Sequence, residues 1–302
     1  MKIILEHIPC DLCGCNEYKV RYRQPDMWLW LNQFEFPVVE CKNCGLVYVN
    51  PRPTEESMAY YYPDDYHDNR NSDEHIKRYK AQAKYLPDLN FKKVLDIGCA
   101  RGDFLAYLKT LYPYIEAYGV DTYSKSANYD FINFHNKNLL ECGFESEFFD
   151  VICSFAVFEH LHTPSKYFKE CGRILKRGGV MVILVTNSES FYGKYARRED
   201  IPRHTYHYSE KTLREYAKIS GLTIRNVFYT DEIFDGRGRG TIRWFISDLL
   251  RIKYEYYYFK NINIIKKFLL KGADIIDAIV FKLHWESYFR RSGIIIVEFY
   301  KE

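Results

Sequence analysis

From residue 91 onward the chain alternates between short apolar runs and stretches whose apolar positions recur every three or four residues. Lys93–Ile97, Glu116–Val120, Asp130–Phe134, Phe149–Phe155, Val180–Val185 and Thr223–Tyr229 read as strands, and Asp103–Leu111, Ser165–Leu175 and Glu210–Ile219 as helices between them. Gly293–Tyr300 follows a long helical stretch and reads as an added final strand. This alternation predicts a doubly wound α/β fold, a mostly parallel sheet with helices on both faces. Upstream the pattern is broken. Short strands are expected at Tyr18–Arg23 and Leu46–Val49, and Thr54 offers a helix cap with Glu55 and Glu56 behind it. The run YYYPDDYHD (60–68) reads as a connector, followed by a helix over Asp73–Leu86 that ends near Pro87.

Composition narrows the class. The 302 residues are 47% hydrophobic and 27% charged, as expected of a packed globular protein. A net charge of +3 is too small to argue by itself for nucleic acid. No apolar run approaches the roughly 20 residues of a membrane-spanning helix. The start, MKIILEHIPC, turns polar too soon for a secretory signal, so a cytoplasmic protein without a transmembrane segment is expected.

Four of the nine cysteines fall in two tight pairs, Cys10/Cys13 and Cys41/Cys44, with 27 residues between and a glycine after each second cysteine. Two such C-x-x-C-G knuckles supply four thiolates for a tetrahedral ion, and the glycines let the backbone turn around the sulfurs. A structural zinc ribbon is the expectation and a redox pair the alternative. With four protein ligands, no position stays open for a catalytic water. Cys15 is a spare thiol, and Cys99, Cys142, Cys153 and Cys171 read as buried ones.

The stretch VLDIGCARGDFL (94–105) runs from strand to glycine turn to helix. Gly98 allows close approach of a ligand and Gly102 eases entry into the helix, but the Gly-x-Gly-x-x-Gly of a dinucleotide dehydrogenase is absent. An acid at Asp96 suits a neutral or cationic ligand rather than a pyrophosphate. The next strand ends in YGVD, and Asp121, about 20 residues on, suits a ribose diol through two hydrogen bonds.

These stretches carry a resemblance. VLDIGCARGDFL resembles the first motif of class I S-adenosylmethionine-dependent methyltransferases, and YGVDTY their second. NLLECGFESEFFDVICSFAVFEHLHTP and ILKRGGVMVILVTN resemble the segments around their fourth and fifth strands. The paired knuckles, CGLVYVNPRPTEE and YYYPDDY are similar to zinc-ribbon-bearing bacterial members that modify sugars or other small molecules. The resemblance implies a seven-stranded, mostly parallel Rossmann-like sheet over residues 91–235 and 292–302. A zinc ribbon over 1–52, a helical connector over 53–90 and a basic, aromatic helical insertion over 236–291 complete the expected organisation. It implies a cofactor site of Asp96, Gly98, Cys99, Ala100 and Gly102, then Asp121 and Thr122, then Asn138, Leu139 and Phe155. Asp96, Gly98 and Gly102 would surround the methionine part, Asp121 would hold the ribose, and Asn138 stands where an acid usually meets the adenine amine. Ala100 replaces the usual middle glycine, a change that a negative φ would tolerate.

Methyl transfer from a sulfonium needs alignment, exclusion of water and, for a hydroxyl acceptor, a base. Candidates are Glu159, His160 and His162 after the fourth strand, then His204 and His207 in DIPRHTYHYS. The stretch Gly236–Lys271 carries Arg237, Arg239, Arg243, Arg251, Lys253, Lys260, Lys266, Lys267 and Lys271 against Asp248 and Glu255. Trp244, Phe245, Tyr254, Tyr256, Tyr257, Tyr258, Phe259 and Phe268 are interleaved. It reads as a helical cap, and also as a surface for a phosphorylated, lipid-linked or membrane-associated substrate. The leading expectation is methylation of a hydroxyl on a sugar-like or other small metabolite, by an enzyme able to form homo-oligomers. A nucleic-acid methyltransferase is disfavoured by the modest charge and by the lack of Asn-Pro-Pro-Tyr or Asp-Pro-Pro-Tyr. A scaffold that has lost its cofactor is the third reading.

Overall fold

The computed structural model describes residues 3–26, 31, 34–62, 72–124, 126–190, 200–230, 232–233, 240–252 and 263–302. Residues 63–68 of the tyrosine-rich connector lie outside this set. So do Arg237, Arg239, Lys253, Tyr254, Glu255, Tyr256, Tyr257, Tyr258, Phe259 and Lys260 of the basic stretch.

The N-terminal part contains β1 (Leu5–Glu6), β2 (Tyr18–Gln24), β3 (Phe36–Cys41), β4 (Val47–Val49) and β5 (Arg52–Pro53), then α1 (Glu55–Met58) and α2 (Ser72–Ala83). The large sheet follows: β6 (Lys93–Ile97), α3 (Asp103–Leu111), β7 (Glu116–Val120), β8 (Ile132–His135), β9 (Phe149–Phe155), α4 (Pro164–Ile174) and β10 (Leu175–Thr186). After β11 (Tyr206–His207) come α5 (Glu210–Ile219), β12 (Thr223–Thr230), α6 (Thr241–Leu249), α7 (Ile264–Val280) and β13 (Ile294–Tyr300).

Seven strands form one sheet in the order β12-β13-β10-β9-β6-β7-β8. β8, β7, β6, β9 and β10 pair in parallel, whereas β13 runs antiparallel to both β10 and β12. The expected doubly wound, mostly parallel sheet is therefore present. Chain order reverses on either side of β6, whose neighbours are β7 and β9, so a crevice opens at the carboxyl end of β6. The near-continuous apolar runs follow from this, since a strand buried on both faces has no solvent side to alternate with. Leu95, Ile152, Ile183 and Val297 face a core completed by Phe168 and Ile174 of α4 and Leu213 and Tyr216 of α5. Val94, Val151, Val182 and Ile296 face the other core, with Leu105 and Leu108 of α3.

The cysteine-bearing segment is built into the same body. β2, β3 and β4 form an antiparallel sheet whose fourth strand is β11, which arrives from more than 150 residues downstream. Neither β3 nor β11 is marked by the sequence pattern. Cys10, Val39, Cys41, Leu46 and Tyr48 join the α4–α5 core. Asp11, inside the first knuckle, fixes the contact. Its carboxylate accepts from the Ser165 N–H and hydroxyl, both at 2.9 Å, and from the Tyr216 hydroxyl at 2.8 Å. Thr163, the residue that precedes α4, makes no side-chain cap, so Asp11 caps α4 across the chain. Burial raises the Asp11 pKa above the usual carboxylate range, against these bonds.

Replacing Asp11 with Ala leaves a buried tyrosine hydroxyl and a helix N-terminus without their acceptor. The expected loss is about 2 kcal/mol in urea unfolding; an unchanged midpoint would show that Asp11 does not hold the two units together.

Candidate active site

A cavity of about 450 Å³ lies beyond the carboxyl ends of β6, β7 and β9. Of the ten positions assigned to a cofactor by resemblance, Asp96, Gly98, Cys99, Ala100, Asp121, Thr122, Asn138, Leu139 and Phe155 all line it. Gly102 does not. At φ +86° it immediately precedes α3, and that left-handed conformation is what calls for glycine here.

The turn after β6 is held by the turn after β7. Gly98 N–H donates to Val120 O at 2.8 Å, and Ala100 N–H donates to Asp121 Oδ2 at 2.9 Å. Oδ1 of Asp121 accepts from the N–H groups of Tyr123 and Ser124 at 2.8 and 2.7 Å. Three of the roughly four lone pairs of this carboxylate are thus committed, leaving room for one hydroxyl rather than the expected two. Gly98 sits at φ +76° beneath Val157, whose Cγ2 would be 2.3 Å from an added Cβ. Asn138 caps a short helical turn, its Oδ1 accepting from Leu140 N–H at 3.0 Å and retaining a second lone pair.

Ala100 departs from expectation. Its φ is +48°, in the left-handed region, not negative. The bond to Asp121 holds the residue where an L side chain is disfavoured by about 1 kcal/mol.

Asp96 is buried against the Cys153 thiol, with Sγ 3.7 Å from Oδ1. Burial, reinforced by the charge of Asp121 and opposed by the Cys153 contact, pushes its pKa up to about 8. A buried carboxyl of this kind is a poor neighbour for phosphate and a good one for a cation.

The same cavity is lined by Glu159, His160, His162 and His204, together with Asp200, which the sequence reading did not single out. One potential ligand atom from each of Glu159, His160 and His204 lies within 4.8 Å of the others. The imidazoles of His160 and His204 are 4.6 Å apart, nearly perpendicular, and His204 Nδ1 is 3.9 Å from Asp200 Oδ2. His160 Nδ1 is 3.2 Å from Arg203 O and 2.9 Å from the Tyr62 hydroxyl. The Arg203 carbonyl only accepts, whereas the Tyr62 hydroxyl can donate or accept; the tautomer with its proton on Nδ1 satisfies both contacts, and in it Nε2 is the basic nitrogen. His162 is committed elsewhere: its Nε2 donates to Pro53 O at 3.2 Å, and burial with the nearby Arg52 lowers its pKa. His207 lies in β11, is absent from the cavity wall, and is held by burial at a pKa of about 4.

Residues missed by sequence reasoning include Tyr62, Arg78, Tyr79 and Gln82, all in the cavity wall. Tyr62 fell in a segment read as a connector. Arg78 and Gln82 are four residues apart on α2, and no local signal distinguishes them from a solvated helical face.

The four thiolate candidates form a second centre. Cys10 and Cys44 sulfurs are 3.4 Å apart, Cys13 and Cys41 sulfurs 3.5 Å, and all four lie within 4.8 Å of one another. A tetrahedron with bonds of about 2.3 Å has edges near 3.8 Å, so the set fits one ion. Gly14 and Gly45, at φ +70° and +82°, close the two matching turns.

Ala100→Gly removes the left-handed strain. It is expected to stabilise the protein by up to about 1 kcal/mol in chemical denaturation; a loss of stability would contradict the conformation described here.

A family model described as a methyltransferase domain matches residues 66–227, more than half the chain. A Mycolicibacterium smegmatis protein named as a probable S-adenosylmethionine-dependent methyltransferase is 25% identical over 150 residues, 49% of this chain and 57% of that one. The demethylmenaquinone methyltransferase of Thermotoga maritima is 31% identical over 126 residues, 38% of this chain and 54% of that one. The matched region spans about half the length of these relatives. Among solved structures, a chain from the Haloferax volcanii complex of the Trm112 methyltransferase activator with a methyltransferase shares the fold. Its TM-score is 0.52 at 18% identity, covering 76% of this chain and 90% of that one. With a methyltransferase-domain model matching more than half of its length, this chain belongs to the methyltransferase-domain family.

Proposed function

We propose that this protein transfers the methyl group of S-adenosylmethionine to a hydroxyl of a sugar or other small metabolite. The observation that carries this reading is one continuous cavity joining the Asp96–Gly98 turn to the Glu159–His160–His204 cluster. S-adenosylmethionine supplies a methyl group on a sulfonium that departs as a neutral thioether. Asp96, with Gly98, Cys99 and Ala100, would hold its cationic methionine end, Asp121 and Thr122 a ribose hydroxyl, and Asn138, Leu139 and Phe155 the adenine.

The chain's own contribution is alignment and proton removal. His160 Nε2, its ring oriented by the Nδ1 contact to Arg203 O, would accept the proton of the acceptor hydroxyl. His204, backed by Asp200, then offers an exit for that proton. Arg78 adds a guanidinium to the wall, suited to a phosphorylated acceptor. The four cysteines would hold a structural zinc ion, closed to water, that keeps the ribbon in shape.

Calorimetry with S-adenosylhomocysteine tests the cofactor assignment. Without ligand, Asp96 keeps its proton up to a pH of about 8. A cationic group favours the carboxylate, so binding should expel a proton and strengthen from pH 6 to 7.5, by at most about tenfold per pH unit. The same raised pKa means the ligand-free fold has this group's stabilisation below about pH 4 and loses it as pH climbs toward 8. Heats independent of buffer ionisation, or proton release surviving in Asp96→Asn, would refute the assignment. Thiol modification of the pure protein should release about one zinc per chain and lower the melting temperature. Release of no metal would return the knuckles to the redox-pair reading.

A further inference from the structure

Helix α7 is amphipathic the wrong way round for a helix that merely caps a sheet. At 3.6 residues per turn, Ile264, Ile265, Phe268, Ile275, Ile276 and Ile279 fall within one stripe of roughly 120°. These six are between 48% and 70% exposed. The opposite side carries Leu270, Ala273 and Asp277, all buried. The orientation is fixed by a polar contact: Asp277 accepts from the N–H groups of Ile242 and Arg243, both at 3.0 Å, and so caps α6, whose preceding Gly240 has no side chain for the task. Arg243 also pairs with Asp274. With this side locked onto α6, the apolar stripe faces outward. Beyond the helix, Leu283, Tyr288 and Phe289 are exposed as well.

We propose that α7 is a docking face for an anionic lipid surface, lying in the plane of the headgroups with its apolar stripe inserted. Charge argues for this occupant. Residues 236–291 hold twelve Lys and Arg against five Asp and Glu, while the whole chain is only +3, so the rest of the molecule is net acidic. Exposed Lys267 and Lys271 flank one rim of the stripe, and no exposed acid interrupts it. Two copies paired through this stripe would set one basic insertion against another, whereas anionic headgroups neutralise it. No helix among the described residues is long and apolar enough to cross a membrane, which leaves an in-plane seat.

Topology connects this seat to the cavity. The insertion leaves β12 and re-enters at β13, and β12 runs antiparallel to β13, which runs antiparallel to β10. Both junctions therefore lie at the carboxyl end of the parallel strands, and Ile294, the first residue of β13, lines the cavity. A docked α7 turns the cavity end toward the bilayer. Resting on the methyl-transfer reading, this makes the acceptor a lipid-borne hydroxyl compound presented at the membrane surface.

Co-sedimentation of the full chain with phosphatidylcholine vesicles, alone or mixed with phosphatidylglycerol, tests the proposal. Binding is expected to the mixed vesicles and to weaken with salt. Phe268→Glu combined with Ile275→Glu should lower the bound fraction at least about tenfold, and Lys267→Glu or Lys271→Glu about fivefold each. Failure of the wild type to bind either vesicle, or undiminished binding by the apolar double variant, would overturn it. So would a dimer in sedimentation velocity that the double variant dissociates, since a second copy would then cover the stripe. Retained melting temperature and S-adenosylhomocysteine affinity in the variants show that the fold and cofactor site are intact, so failure here stays distinct from failure of the methyl-transfer reading.

Discussion

Thr205 is bonded through both its N–H and its carbonyl, and the part of the cavity that holds Glu159, His160 and His204 depends on it. Its carbonyl accepts from Val49 N–H of the cysteine-bearing sheet at 2.9 Å, while its own N–H donates to Glu159 O at 2.8 Å. The Thr205 hydroxyl also lies 2.9–3.0 Å from the carbonyls of Glu159 and Leu161, and the Tyr208 hydroxyl donates to Phe158 O at 2.9 Å. Through this strap the thiolate centre, the short strand β11 and the turn after β9 become one rigid unit. Arg203, fully buried with Asp26 3.5 Å away, anchors the strap from the other side and supplies the carbonyl that orients His160. The four-cysteine segment thus bears, through this strap, on where a histidine points. The cysteine-bearing segment braces the cavity wall through β11 rather than standing as a separate appendage.

The glycine turn after β6 obeys a different constraint. There Asp121 ties two turns together through three backbone N–H groups, and Asn136 reinforces it by donating to the carbonyls of Asp121, Thr122 and Ser124. Preorganisation of this kind leaves little to rearrange on binding and costs some local strain, visible at Ala100. An alanine survives there because the bond from its own N–H to Asp121 outweighs about 1 kcal/mol of left-handed conformation.

Much of the sheet was legible in the sequence because both-face burial turns strands into apolar runs. α3 and α5 appear at their expected bounds, and nine of the ten positions assigned to the cofactor by resemblance meet in one cavity. What escaped notice depends on contacts distant in sequence. β11 is two residues long and is a strand only because β4 lies beside it. Asp11 looked like a spacer between cysteines, yet it caps a helix 154 residues away. Tyr62 and Asp200 sit in turn-rich stretches whose role appears only once the ribbon folds over the sheet. The sign of φ at Ala100 is likewise a tertiary matter, set by a carboxylate on the next strand.

A crystal structure with S-adenosylhomocysteine bound would show whether one cavity serves both the cofactor and the histidine cluster. The methionine end is expected beside Asp96, a ribose hydroxyl on Asp121, and the sulfur directed toward Glu159, His160 and His204 with no side chain between. A ligand seated elsewhere, or one whose sulfur faces away from the histidines, would contradict this arrangement.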